Sequence, residues 1–432
     1  MKKLYILLVV GASLMMSACS DFLDREPLTT PNSETFLSNA SAVNNYINGL
    51  YIALPSFGTY DMGVRGEEKN SDNIVAEVYD KRLNGELQEN GGGSTEWQKG
   101  YQNLRNVNYF FEYYKVPETE ETKDVLSMKG EAYFFRAYWH FYLLTRFGSI
   151  PVMDSFWDRN ATVGGLQIPP RDRSAVAQFI LDDLNTAKEL LHPRSQYKGL
   201  RVCKEAAIIM AMRVALYEGT WEKYHKGTDF ATEDNSEEFF KEVMNWGDQY
   251  LFPAGLTLHM TATNPKATNI DDAFSELFNS NDLSNISEVT FWKKYSIADG
   301  VFNTVTQQLS GGVTDNVKPS GLSKSLVDNF LNVDGTPVDP TDEKYKDFNE
   351  VFKDRDGRLL AMVMHTGCKF KSNSLMNVRV YDETGTEAEQ KEKNKDISSP
   401  RLNGDGIYKN VTGFHTRLGI DTTYVTGNCE TA

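Results

Sequence analysis

Apolar residues recur at three- and four-residue steps through the first half of the chain, the spacing that lines one face of a helix. Trp97, Tyr101, Leu104, Asn108 and Phe111 share such a stripe, which predicts a helix from Trp97 to about Tyr114, closed by Pro117. A second is predicted from about Val125 to Phe147, with Leu126, Gly130, Phe134, Ala137, Phe141 and Leu144 on one face and Gly148 and Pro151 ending it. A third begins at Ser174 as N-cap and aligns Val176, Ile180, Leu184, Ala187 and Leu191 before His192-Pro193. A fourth runs from about Lys204 to Tyr217, and a fifth lies between Glu237 and Leu251. Gly130, Ala137, Ala206 and Ala211 supply small surfaces for close helix approach, so the five together predict a stacked helical-hairpin scaffold over 61–251. From Phe252 onward Gly, Asn, Asp and Pro become frequent, and short β-prone runs such as Val289 to Trp292 replace long helices. The expected fold is therefore mainly α, with an irregular, loop-rich region carrying short strands over 252–432.

The N-terminus follows another logic. Lys2-Lys3, the apolar run Leu4 to Met16 and Ser17-Ala18 before Cys19 have the layout of a Sec signal peptide over 1–18, too short to cross a bilayer as a helix. The cysteine resembles the lipobox of bacterial lipoproteins, with Met16 an imperfect match, which implies that Cys19 is lipidated and becomes the first mature residue. Two acyl chains would suffice for stable anchoring. Ser20, Asp21, Asp24 and Glu26 resemble the acidic surface-export signal of Bacteroidetes lipoproteins. Residues 19–60 are expected to be the lipidated N-terminus and an extended tether, its first part interrupted by Pro27 and Pro31. No later segment has the apolar length to span a membrane.

Charge and motif content remove several function classes. The net charge of −15, with no long basic run, disfavours nucleic acid. Cys19, Cys203, Cys368 and Cys429 are too dispersed for a CxxC metal site or a dense disulfide framework. The six histidines show no HExxH spacing, no GxSxG or P-loop occurs, and Ser195-Gln-Tyr-Lys198 is a chance SxxK spacing. Asp339, Asp342 and Glu343 lie close together but miss the EF-hand rule, and Gly91 to Gly93 lack the βα context of a phosphate cradle. No cofactor, metal or catalytic residue is expected.

Several segments, taken in order, resemble the SusD/RagB family of outer-membrane nutrient-binding lipoproteins. They begin with Cys19-Ser-Asp-Phe-Leu-Asp24, Trp97-Gln-Lys-Gly-Tyr101 and Leu104-Arg-Asn-Val-Asn108. The most specific is the block Lys129-Gly-Glu-Ala132, Arg136-Ala137, Phe147-Gly148-Ser-Ile-Pro151. Lys204-Glu-Ala-Ala207 to Tyr217, Trp221-Glu-Lys-Tyr224, Glu288-Val289, Ser323 to Phe330 and Arg355-Asp-Gly-Arg358 continue it. The resemblance covers essentially the whole chain. It implies a tetratricopeptide-like helical scaffold, capture of a glycan or other nutrient at the cell surface, and a partner SusC-like TonB-dependent transporter in the outer membrane. Family members usually continue beyond a segment like Thr412-Gly-Phe414 into a further scaffold helix, whereas this sequence ends at Ala432. The expectation is a scaffold incomplete at its C-terminus, with an apolar patch exposed on the remaining repeats.

Binding a sugar calls for flat aromatic faces and polar groups that fix hydroxyls, best placed on loops. The loop from Glu67 to Glu96 offers Asp72, Asn73, Tyr79 and Arg82, and the later stretch offers Trp292, Tyr295 and Phe302; scaffold packing is the alternative role for each. Trp97, Trp139 and the aromatics from Tyr133 to Tyr142 are expected in the core. Two rival readings remain open at this stage: a surface glycoside hydrolase, since sixty acidic residues offer many carboxylate pairs, and a helical scaffold that binds only proteins.

Overall fold

The structure, a computed structural model, describes residues 36–430 except 59–62, 64–67, 69–70, 76–80, 82, 87–93, 158–167, 231–233, 260–269, 310–319, 371–373, 399–401, 403–410 and 424–427. The predicted signal peptide and Cys19 thus lie outside the described residues, as do Tyr79 and Arg82.

Helix α1 (Ala40–Tyr51) starts where the Asn39 side chain accepts from Ala42 N, and buries Val43, Ile47 and Leu50 at helical spacing. It falls inside the stretch expected to be tether, which gives way to scaffold at Ala40. Strand β1 (Ile74–Val75) precedes α2 (Thr95–Tyr113), capped by Ser94. Helix α3 (Lys123–Phe147) is capped by Thr122 and ends at Gly148, whose φ of 72° suits a residue without Cβ. Next come α4 (Arg173–Leu190), the single turn α5 (Arg194–Tyr197), α6 (Lys204–His225) and α7 (Ser236–Trp246), which runs on into a π-helical turn at Gly247–Leu251. Helix α2 packs on α3, α3 on α4, α4 on α6 and α6 on α7, with α1 laid against α2 and α3. One continuous apolar core results, from Leu37 to Trp246. Trp139, at 1% exposure, and Phe135 are central to it, as the sequence predicts.

Two helix ends differ from expectation for one reason. Asp172, not Ser174, occupies the N-cap of α4, and the Ser174 hydroxyl instead hydrogen-bonds the Glu222 carboxylate on α6. Helix α6 runs two turns beyond Tyr217 because Glu218 and Glu222, polar in the sequence, are core positions there. Arg173 Nε and Nη2 donate to Glu218 at 2.7 and 2.9 Å, so the carboxylate is buried but satisfied.

Ion pairs of the same kind tie α3 to its neighbours and give the Lys129 to Pro151 block its physical content. Gly130 lets α3 approach the end of α4: a Cβ there would stand 2.9 Å from Leu190 Cβ and 3.2 Å from Leu191 N. Arg136 donates to both Asp183 oxygens, at 2.7 and 2.6 Å, and its third nitrogen reaches Asp154 O. His140 is fully buried; Met153 N donates to its Nε2, so Nδ1 carries the proton toward Arg136 O. Burial, above all, depresses the His140 pKa to about 3.

The second half is irregular, as predicted, with short elements: α8 (Ile270–Asn279), α9 (Val305–Leu309), β2 (Gly321–Leu322), α10 (Lys324–Asn329), α11 (Gly357–Met362), β3 (Lys369–Phe370), β4 (Ser374–Leu375) and α12 (Glu387–Lys393). β1 pairs antiparallel with β2, Ile74 opposite Leu322, and β3 pairs with β4. Helix α8 packs on α11. Small clusters around Leu322, Val327, Phe352 and Leu359, and around Met364, Phe370 and Ile420, replace a single core. Arg355 of the Arg-Asp-Gly-Arg segment holds the first of these together, its guanidinium donating to the carbonyls of Val327, Phe330 and Val351. Val289 to Trp292 forms no strand. Its backbone is engaged instead by the Arg194 side chain and the turn at Gly199.

Candidate ligand-binding cleft

Where the C-terminal end of α1 meets the turn before α6 and the segment 289–295, an open cleft of about 930 Å³ forms. Asn48 and Tyr51 come from α1, Ile52 and Phe57 from its C-cap and the chain just beyond it, Leu200 and Arg201 from the turn, and Phe291 to Tyr295 from the opposite wall. Ile52 is 85% exposed, so the lining offers apolar surface to solvent.

Beneath the cleft, Glu131 of α3 is buried at 1% exposure and draws the other parts together. Arg201 forks onto it with two 2.9 Å bonds, and Tyr51 Oη donates to it at 2.6 Å. The third Arg201 nitrogen donates to Asn48 Oδ1 at 2.7 Å and to Asn44 Oδ1 at 3.3 Å, while Val202 N donates to Tyr51 Oη. Burial raises the Glu131 pKa, opposed by the bonds and charge of Arg201. Burial, reinforced by Glu131, holds Tyr51 well above a normal phenol, so it stays a neutral donor.

The opposite wall is fixed by one arginine. Arg194 on α5 donates to the carbonyls of Leu283, Ile286 and Val289 at 3.0, 2.8 and 2.7 Å, with longer bonds to Ser284 O, and its own backbone N–H bonds Glu205. Trp292 N donates to Gly199 O, and Trp292 Nε1 donates to Lys198 O at 2.9 Å. The turn that accepts them has Lys198 and Gly199 at φ of 51° and 82°. At Gly199 a Cβ would lie 2.9 Å from the Trp292 ring, so glycine is needed for conformation and for space.

Of the residues the sequence nominates, Trp292 and Tyr295 line this cleft. Both are largely buried. Tyr295 Oη donates to Phe57 O at 3.0 Å, and its ring stacks on Phe57 with centroids 6.4 Å apart. Asp72 and Asn73 are exposed beside β1, where Asn73 O accepts from Ser323 N, and they are not among the residues lining the cleft. Phe302 is half-buried and also absent from the lining. Sequence reasoning missed Asn48, Tyr51, Arg201 and Phe291. The Val43–Ile47–Leu50 spacing of α1, with Asn44 and Asn48 four apart beside it, is the signal that could have found the first two.

These features define a helical-hairpin scaffold that carries an aromatic-lined cleft with hydrogen-bonded walls beside an irregular second half. The chain belongs to the SusD/RagB family: residues 21–216 match the SusD-like model described as "Starch-binding associating with outer membrane", and residues 292–430 match the model described as "SusD family". A SusD-like protein of Formosa agariphila is 26% identical over 272 residues, 60% of this chain and 51% of that protein, so the chain spans about half the length of this relative. Among solved structures, a SusD-like protein of Bacteroides fragilis superposes with a TM-score of 0.66 at 20% identity, covering 94% of this chain and 74% of that one. A SusD-like carbohydrate-binding protein of the same species gives 0.65 at 18% identity, covering 92% and 71%. The fold is the SusD-like, tetratricopeptide-like one the sequence predicts.

Proposed function

We propose that this protein captures a glycan at the cell surface, held to the outer membrane through lipidated Cys19, and delivers it to a SusC-like TonB-dependent transporter without cleaving it. The observation that carries the reading is the cleft itself: an open, partly apolar cavity lined by the aromatic residues Tyr51, Phe57 and Phe291 and by polar groups held in a hydrogen-bond network. Family membership supports a carbohydrate ligand and a surface location. Among the described lining residues none is Asp or Glu, so the wall offers no pair of carboxylates for hydrolysis. No helix among the described residues is long and apolar enough to cross a membrane, which fits attachment by acyl chains.

Calorimetry of the purified chain against a panel of soluble neutral and acidic polysaccharides tests this directly. Binding should occur to at least one, Phe291→Ala should weaken it about tenfold, roughly 1.4 kcal/mol, and no new reducing ends should appear. Release of reducing ends, or binding untouched by Phe291→Ala, would overturn the proposal.

A further inference from the structure

The cleft presents hydrogen-bond donors and positive charge in a protein whose net charge is −15. Four cationic residues line it, Arg201, Arg213, Lys293 and Lys294. Arg201 is neutralised by Glu131. Arg213, Lys293 and Lys294 are exposed and have no ion-pair partner among the described residues; Lys293 lies 5.0 Å from the Tyr295 ring centroid. The nearby Asp282 feels the charge of Lys294, but its oxygen accepts from Ser284 N at 2.8 Å. Asn48 extends the pattern. Arginine can only donate, so the Asn48 atom facing Arg201 must be the oxygen, which leaves the amide NH2 as the group this lining residue can still offer.

From this we infer that the cleft selects an acidic glycan, one bearing carboxylate or sulfate groups. The inference rests on the glycan-binding reading above and specifies its ligand class. Charged donors bind anionic acceptors more strongly than neutral hydroxyls, and low-dielectric walls concentrate their field. A neutral sugar offers donors as well as acceptors, and the described lining supplies no carboxylate to receive them. The overall negative charge repels a polyanion at long range, so its capture depends on these local cations and on ionic strength.

The test compares dextran with dextran sulfate, and polygalacturonate with its methyl ester, by calorimetry on the full chain at two salt concentrations. Lys293→Gln/Lys294→Gln/Arg213→Gln is set beside a control that removes the same charge far from the cleft, Lys346→Gln/Lys391→Gln/Lys395→Gln. The expected result is at least tenfold tighter binding of one acidic polymer than of its neutral partner. The cleft triple variant, but not the control, should lose it, and added salt should weaken it. Preference for sulfate or for carboxylate then identifies the group. If the neutral polymers bind equally well and the cleft triple binds like wild type, the acidic-ligand inference fails while glycan capture stands. Equal losses in both triples would reduce the effect to bulk charge and overturn it. If no polymer binds and Phe291→Ala changes nothing, the broader reading falls with it.

Discussion

Arg201 and Glu131 show how a single pair can serve stability and site at once. Glu131 alone would be a costly buried charge, and the fork from half-buried Arg201, itself held by the two asparagines, satisfies it together with Tyr51. Arg201→Met strands the carboxylate and should cost about 3–5 kcal/mol, read as a lower denaturant midpoint. Glu131→Leu combined with Arg201→Met should recover most of that loss, because no buried charge is left unpaired; a double variant as unstable as the single would show that the pair is not the source. His140 gives a pH signature of its own. Its pKa falls from about 6.5 in the unfolded chain to about 3 in the fold. The unfolded state therefore takes up the proton first as pH drops. The stability that neutral His140 contributes is complete above pH ~6.5 and is lost progressively toward pH 3, by up to about 1.4 kcal/mol per unit. Unfolding free energies measured from pH 7 to 5 should show this slope, reduced in His140→Gln.

At the scale of elements, close helix approach depends on where a glycine sits rather than on its presence in a helix. Gly130 faces the end of α4 at a distance no Cβ tolerates, and the nearest atoms include backbone that cannot rotate away. Gly130→Ala should therefore destabilise by about 1–3 kcal/mol. Gly49, near the end of α1, has nothing within 4 Å of the same added atom. There alanine should stabilise by about 0.5–1 kcal/mol through helix propensity. Thermal melts of the two variants should move in opposite directions, and a shift of equal sign would contradict the packing argument. Helices α2, α3, α4 and α7 were legible in the sequence because their buried stripes are apolar. The last two turns of α6 were not, since Glu218 and Glu222 look like surface residues until Arg173 and Ser174 arrive from another helix.

For the whole molecule, anchoring and capture are separable. On the proposed reading the Sec-like signal and Cys19 would address the chain to a membrane, while the residues lining the cleft begin at Asn48. Cys19→Ala should shift the protein from the membrane fraction to a soluble one in cell fractionation, with glycan affinity of the purified chain unchanged. Retention in the membrane would place the anchor elsewhere.

By itself the sequence determined the five long helices from Trp97 onward, their order and the family, though not α1 or the end of α6, because periodic apolar stripes and the Lys129 to Pro151 block are local and need no partner to be recognised. It also nominated Trp292 and Tyr295, which line the cleft, since loop aromatics are conspicuous. The tertiary structure alone decided what surrounds them. Tyr51, Arg201 and Tyr295 are separated by up to 244 residues, and the wall that carries Trp292 takes its shape from Arg194 bonding to backbone carbonyls, which leave no trace in residue type. A cleft whose members meet through long-range hydrogen bonds and ring contacts has no sequence period to betray it.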